Sequence, residues 1–190
     1  MTRRLVYVVG PSGAGKDSVL SWLRKHTPLA VKVHWARRII DRPKFSGAGA
    51  EDHLEVDTAG FQKLLANNEF AMYWHANSHH YGIHKTELLS LNDPNACVVV
   101  NGSRAHLPFA ASLYPELTVV HITADIEVLR ERLYARARES KKDIESRLNR
   151  NVDITLPPTC TLIEISNTTA LELAGRQLIE KLRGLKLWND

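Results

Sequence analysis

The sequence predicts a three-layer α/β domain: a central parallel sheet with helices on both faces, interrupted by a small inserted lobe. Three observations predict it. Apolar, β-branched runs of strand length, such as Leu5 to Val9 (LVYVV), show no polar alternation, as strands buried on both faces of a parallel sheet do not. Such runs alternate with segments whose apolar residues recur at helical spacing, the order that right-handed crossovers require. A Gly-rich turn joins the first run directly to the first helical segment. At 190 residues, 44% hydrophobic and 24% charged, the chain is the size of one domain and carries enough apolar content for one core. That composition excludes disorder, collagen and coiled coil.

The elements follow in order. After Leu5 to Val9 comes GPSGAGKD, and then Val19, Leu20 and Leu23 mark a helix that Pro28 ends. Ala96 to Asn101 reads as the next buried strand, followed by a short helix near Ala105 to Leu113 and a strand at Leu117 to Ile122. Asp125 is placed to cap a helix on which Ile126, Leu129, Leu133 and Ala137 share one face. A further helical piece spans about Ser140 to Arg150. Pro157-Pro158 breaks the chain, Thr161 to Ile165 reads as the last strand, and Ala170 to Leu187 as a closing helix. Between about residues 34 and 93 the rhythm fails. This segment holds six of the nine histidines, has an acidic centre, and shows strand-like pieces at Phe70 to His75 and Tyr81 to Ile83. It reads as an inserted lobe on a core of residues 1–33 and 94–190.

The longest apolar runs, Leu5 to Val9 and Ala96 to Val100, fall far below the roughly 20 residues of a membrane-spanning helix. Arg3 and Arg4 precede an apolar stretch too short for a signal-peptide core. Cys97 and Cys160 make neither a disulfide framework nor a metal cluster. A cytoplasmic enzyme or binding protein is expected. The formal charge of +4 is uneven: residues 1–50 carry ten Lys/Arg against two acids, and residues 51–94 two against seven. The basic residues gather around the Gly-rich loop rather than along an aromatic-studded stripe. This predicts compact phosphorylated small molecules as partners, not nucleic acid or membrane.

Gly10-Pro11-Ser12-Gly13-Ala14-Gly15-Lys16 matches the phosphate-loop pattern G-x-x-x-x-G-K, in the strand-to-helix context that pattern demands. Its glycines let successive N–H groups turn inward, the helix adds its positive dipole end, and Lys16 adds a cation for β and γ phosphates. The residue after the lysine is Asp17, where the pattern has Ser or Thr on magnesium. A carboxylate is also a hard oxygen ligand, so Asp17 is the metal candidate; the bland alternative is a favourable charge at a helix start. Ser18, one step on, points roughly 100° away. The expected cofactors are ATP and Mg²⁺.

The pieces GPSGAGKDSVL (10 to 20), RIIDR (38 to 42), GAGAEDH (47 to 53), WHANSHHYGI (74 to 83), VVVNGSRAHLP (98 to 108) and LRERLYARARESKKDIESRL (129 to 148) resemble the guanylate-kinase-like branch of the P-loop kinases. Within it they resemble most the ribose 1,5-bisphosphate phosphokinase family of phosphonate utilisation. The resemblance covers nearly the whole chain. It implies a P-loop NTPase fold whose inserted lobe binds the phosphoryl acceptor and whose helical lid, about residues 137–150, closes over ATP. It places Arg42 on the acceptor phosphate, His53 where guanylate kinases have a tyrosine, and Tyr81 as the tyrosine of their YG sequence. It matches Arg132, Arg136 and Arg147 to lid and core arginines, and adds Arg38 and Arg104. Asn167 falls in the region of the adenine contact.

Two departures bear on the acceptor. Met72 stands where guanylate kinases read guanine with a glutamate, and Ile83 replaces the Thr or Ser after YG. An apolar residue cannot accept the base's N–H groups, which argues against guanine. Asn101 and Ser103 follow a buried strand at its C-terminal end, where open α/β sheets bind ligands. His75 in WHAN has either a sugar-phosphate or a structural role. Arg130 and Arg138 read as partners of local carboxylates. The expected reaction is ATP-dependent phosphorylation of ribose 1,5-bisphosphate to 5-phosphoribosyl 1-diphosphate, by a monomer or homodimer. A nucleoside monophosphate kinase of altered base choice and a silent interaction module are the alternatives.

Overall fold

The computed structural model describes residues 4–42, 53–76, 78–135, 141–148 and 154–188. Five parallel strands form the main sheet in the order β2-β7-β1-β8-β9. They are β1 (Leu5–Val9), β2 (Val33–Ala36), β7 (Cys97–Asn101), β8 (Thr118–Thr123) and β9 (Thr161–Ser166). All five residues of β1 and of β7 are buried, as their unbroken apolar runs require. A second sheet, in the order β4-β3-β6-β5, holds β3 (Arg38–Asp41), β4 (His53–Val56), β5 (Phe70–Ala76) and β6 (His79–His84).

The lobe boundary differs from the expected one. Val33–Ala36 pairs in register with Cys97–Val100, so β2 belongs to the main sheet and the second sheet begins at Arg38. VHWA is half-buried at all four positions, and a sheet-edge strand of mixed polarity leaves no apolar run to read.

Helices α1 (Lys16–His26) and α6 (Leu171–Gly184) pack together on one face of the main sheet. There Val6, Val8, Val19, Leu23, Val120, Ile163, Leu178 and Trp188 form a continuous core. Gly175 lets the helices approach: a Cβ there would fall 2.1 Å from the Trp22 ring. On the opposite face Leu5, Tyr7, Val9, Val98, Val100 and Val119 meet Leu107 and Ala110 of α3 (Leu107–Leu113), and also Met72, Trp74 and Ile83 of the second sheet. Fully burying side chains of this size stabilises by about 1.5–3 kcal/mol each. Met72 and Ile83, at 1% and 0% exposure, are therefore mortar between the two sheets. Helix α2 (Thr58–Ala66) covers the second sheet through Phe61, which stacks on Phe70 at 4.7 Å. Helices α4 (Ile126–Ala135) and α5 (Lys141–Leu148) are joined by Glu145, which accepts from Arg130 at 3.0 Å and Tyr134 at 2.9 Å.

Candidate active site

The phosphate loop spans the C-terminal end of β1 and the start of α1. Gly15 caps α1 in the left-handed region, φ 79° and ψ 26°, and has no side chain to cap the helix's first amides. A side chain at this position is excluded by conformation, and by Asn167 Nδ2 at 2.5 Å from where a Cβ would stand. The result is a helix N-terminus and loop amides open to an anion. Lys16 Nζ folds over the loop and donates to the carbonyls of Gly10 (2.9 Å) and Pro11 (3.2 Å). Ser12, Gly13 and Ala14 complete the turn, which Ala14 N–H closes on Pro11 O at 3.3 Å. Ser18 is exposed.

Asp17 lies in the first turn of α1 and accepts from Asn101 Nδ2 at 2.8 Å. The bond joins the loop to the end of β7, and sequence reading had given the two residues separate roles. A carboxylate oxygen held beside the phosphate lysine suits a hard divalent cation such as magnesium.

Arg132, on α4, reaches back to the loop: one guanidinium nitrogen donates to Gly13 O at 3.5 Å and the other to Asn167 O at 2.9 Å. Among the described residues it pairs with no carboxylate, whereas Arg130 pairs with Glu145. Arg136 lies outside the described residues, as does the side chain of Arg147, although α5 carries that residue. Asn167 follows β9, in the region expected for the adenine contact. Its side chain is buried, with the residue 3% exposed, and Nδ2 donates to Ala14 O at 2.8 Å. It braces the phosphate loop from beneath.

The second sheet assembles the remaining candidates. Arg42, at the end of β3, donates Nε to Glu55 Oε1 at 2.9 Å and is hydrogen-bonded to His53 Nε2. His53 Nε2 is also 3.0 Å from Glu55 Oε1, so parallel strands β3 and β4 set an arginine, a histidine and a carboxylate side by side. Arg38 lies over the Tyr81 ring at 5.1 Å, and Tyr81 stacks on Trp74 at 5.8 Å with ring planes 5° apart. His75 is exposed on β5, its ring 4.9 Å from that of His80.

Ser103 and Arg104 follow β7 in the turn that Gly102 opens. Arg104 is half-buried and has no hydrogen-bond or ion-pair partner among the described residues, and burial lowers its pKa. Its charge depresses the pKa of His121, whose main shift downward comes from burial. A half-buried cation with no partner among the described residues is suited to meet an anion.

Sequence reading missed Glu55, Asp41 and His80. Asp41, at 9% exposure, accepts from the His80 backbone N–H and lies 2.6 Å from His80 Nδ1. Burial pushes its pKa up, but the two bonds from His80 outweigh that and hold it below the ordinary aspartate value. The signal available was a carboxylate closing the apolar run in RIIDR, which demands a partner.

No helix among the described residues is long and apolar enough to cross a membrane. No family model matches the chain. In structure it is similar to guanylate kinase from Anaplasma phagocytophilum, with a TM-score of 0.68 and 17% identity, over 95% of this chain and 85% of that one. The likeness shows a guanylate-kinase-like α/β fold. In sequence it is 42% identical over 182 residues to ribose 1,5-bisphosphate phosphokinase PhnN of Burkholderia mallei, covering 96% of each chain. It is 40% identical over 185 residues to the protein of that name from Azotobacter vinelandii, covering 96% of this chain and 97% of the other. The Rhizobium etli protein of the same name is 39% identical over 181 residues, covering 95% and 90%. Similarity of this degree across nearly the full length of both chains makes the chain a member of the ribose 1,5-bisphosphate phosphokinase PhnN family.

Proposed function

We propose that the chain uses ATP to phosphorylate ribose 1,5-bisphosphate, giving 5-phosphoribosyl 1-diphosphate and ADP. The observation that carries this reading is the pairing of a phosphate loop with a cationic acceptor side whose base-reading positions are filled by buried Met72 and Ile83. With those positions closed into the core, what remains to bind an acceptor is phosphate-seeking: Arg38, Arg42, Tyr81 and Arg104, with His53, Asn101 and Ser103 beside them. Arginine's planar fork suits phosphate oxygens, and the acceptor offers two phosphates. A nucleoside monophosphate offers one phosphate and a base with nothing polar to meet at Met72 or Ile83.

The chemistry needs little from a general base, because a phosphate monoester is largely ionised near neutral pH. An oxygen of the 1-phosphate attacks the γ-phosphorus of ATP, the bond from that phosphorus to the β-bridging oxygen breaks, and ADP leaves with the electron pair. Alignment and charge neutralisation carry the rate. Lys16 leaves the carbonyls of Gly10 and Pro11 for the β and γ phosphates. Arg132, already against the loop, neutralises charge on the group in transit, and Arg136 and Arg147 join it from the lid. Magnesium, which Asp17 steadied by Asn101 would hold, supplies further neutralisation of the triphosphate. Closure of residues 137–150 excludes water and suppresses ATP hydrolysis.

The test is ³¹P NMR of the purified chain with Mg-ATP and either ribose 1,5-bisphosphate or a panel of nucleoside monophosphates. A new diphosphate signal with the pentose bisphosphate alone is expected. Turnover with a nucleotide and not with the pentose overturns the acceptor assignment.

A further inference from the structure

We propose that the Tyr7 hydroxyl is a positioning residue of this phosphoryl transfer: through Ser103 and His106 it fixes the part of the turn that presents Arg104, beyond the Asn101 end that pairing with Val8 already holds in the sheet. The proposal rests on the kinase reading above and deepens it.

Tyr7 sits in the middle of β1 with 0% exposure. A phenol in a strand buried on both faces needs partners for its hydroxyl, and this one has two. Its oxygen accepts the Ser103 backbone N–H at 3.1 Å, and it lies 3.1 Å from His106 Nδ1. The hydroxyl has one proton. Ser103 takes one lone pair of the oxygen, and in this proposal the hydroxyl proton goes to Nδ1, which makes Nδ1 the acceptor and leaves the proton of a neutral His106 on Nε2; the alternative, Nδ1–H donating to the second lone pair, is the outcome the spectrum below distinguishes. Burial pushes the Tyr7 phenol up and holds His106 down at about 4, so this arrangement persists across the neutral range. Nε2 is buried and finds no hydrogen-bond acceptor among the described residues; the ring instead lies 5.2 Å from those of Trp74 and Phe109.

The Tyr7 ring is also the floor of the turn. A Cβ on Gly102 would stand 2.1 Å from Tyr7 Cζ, and Gly102 N–H donates to Val8 O at 2.8 Å, so the backbone rests directly on the phenol. The turn begins with Asn101, which holds Asp17, and ends with Arg104. From His106 the contacts run on through Trp74 to Tyr81 and the overlying Arg38. One buried hydroxyl therefore sits where the nucleotide side and the acceptor side meet. Nothing in core packing requires it, since phenylalanine fills the same volume.

The experiment compares wild type with Tyr7→Phe, His106→Leu and His106→Asn as full chains, well below each thermal midpoint. Tyr7→Phe strands Ser103 N–H and Nδ1, so kcat/KM for the acceptor should fall about tenfold or more while KM for ATP moves by less than about twofold. His106→Leu should match that loss, and His106→Asn, which keeps an acceptor near Nδ1, should restore most of the rate. A second readout needs no acceptor: the ¹⁵N-histidine spectrum of wild type at pH 7 should show His106 protonated at Nε2, and Tyr7→Phe should disturb that tautomer. Wild-type kinetics in Tyr7→Phe, an equal loss toward ATP and acceptor, or His106 protonated at Nδ1 in wild type would each overturn the proposal. Failure of wild type to turn over the pentose bisphosphate would instead overturn the functional reading, with the spectrum still deciding the geometry.

Discussion

Replacing Asn167 by alanine separates two roles that sequence position alone cannot distinguish. The residue follows β9, where the adenine of a bound nucleotide is expected, yet its side chain is buried beneath the phosphate loop and donates to Ala14 O at 2.8 Å. Truncation removes that buried donor and also removes Oδ1, which has no partner of its own. A lost buried hydrogen bond, partly offset by the removal of an unsatisfied acceptor, costs about 1–2 kcal/mol. In a chain of this length that is a fall of about 4 °C in the thermal midpoint. Because the loop cradles phosphates, kcat/KM for the nucleotide should fall about tenfold, and by the same factor for ATP and GTP. Differential scanning calorimetry and a coupled ADP-release assay with both nucleotides measure these quantities. An unchanged midpoint with a loss confined to ATP would refute the bracing argument and return Asn167 to the base.

Arg104→Gln breaks no pair among the described residues, so its midpoint should hold or rise while KM for the acceptor increases about tenfold; a drop in stability with unchanged KM would show a structural arginine. Glu55→Gln keeps the volume beside Arg42 and His53 but removes the charge that competes with a phosphate for the Arg42 guanidinium, so acceptor KM should fall several-fold, about threefold or more, with ATP KM unmoved in the same assay. Asp41→Asn should cost about 2 kcal/mol in urea unfolding near neutral pH. Asp41's folded pKa is depressed, so its contribution is present above the unfolded value of about 3.9 and is lost as pH falls through the folded one. The gap between wild type and variant should therefore be open at about pH 5, where the carboxylate is ionised, and close as pH falls through the folded value; a gap that widens in acid would contradict this sign.

The central layer was legible because its strands are apolar without alternation and its loop is punctuated by glycine. Leu5–Val9 and Cys97–Asn101 could be read directly. Val33–Ala36 could not, because a four-residue edge strand with a histidine and a tryptophan carries no run and no period. The glycine turn between β1 and α1 was legible, since Gly13 and Gly15 adopt the positive φ that glycine supplies most readily. Partnerships were not. Asn101 with Asp17, Asn167 with Ala14, and Asp41 with His80 span 84, 153 and 39 positions of chain, and no local pattern encodes such a distance. For Asn167, position after a strand gives the region, and only packing gives the direction of the side chain.

The site's cations divide by what they touch without ligand, and the division predicts how binding proceeds. Lys16 donates to Gly10 and Pro11 carbonyls, Arg132 to Gly13 and Asn167 carbonyls, and Arg42 to Glu55. Carbonyls are neutral, so Lys16 and Arg132 surrender modest hydrogen bonds when phosphate arrives and gain charged ones, a net drive toward the nucleotide. Arg42 is different. Its carboxylate partner already matches its charge, so an acceptor phosphate must share the guanidinium with Glu55, and the fork's remaining N–H groups make that sharing possible. Arg104 has no partner among the described residues to surrender, and its burial is already counted in the fold's stability. An acceptor phosphate that reaches it meets a desolvated, preorganised cation and recovers the full charged interaction, so Arg104 should contribute more acceptor affinity than Arg42 although both are arginines in one site. Arg42→Gln should then raise acceptor KM less than Arg104→Gln does, and the reverse order in steady-state kinetics would show that Glu55 orients Arg42 without competing for it.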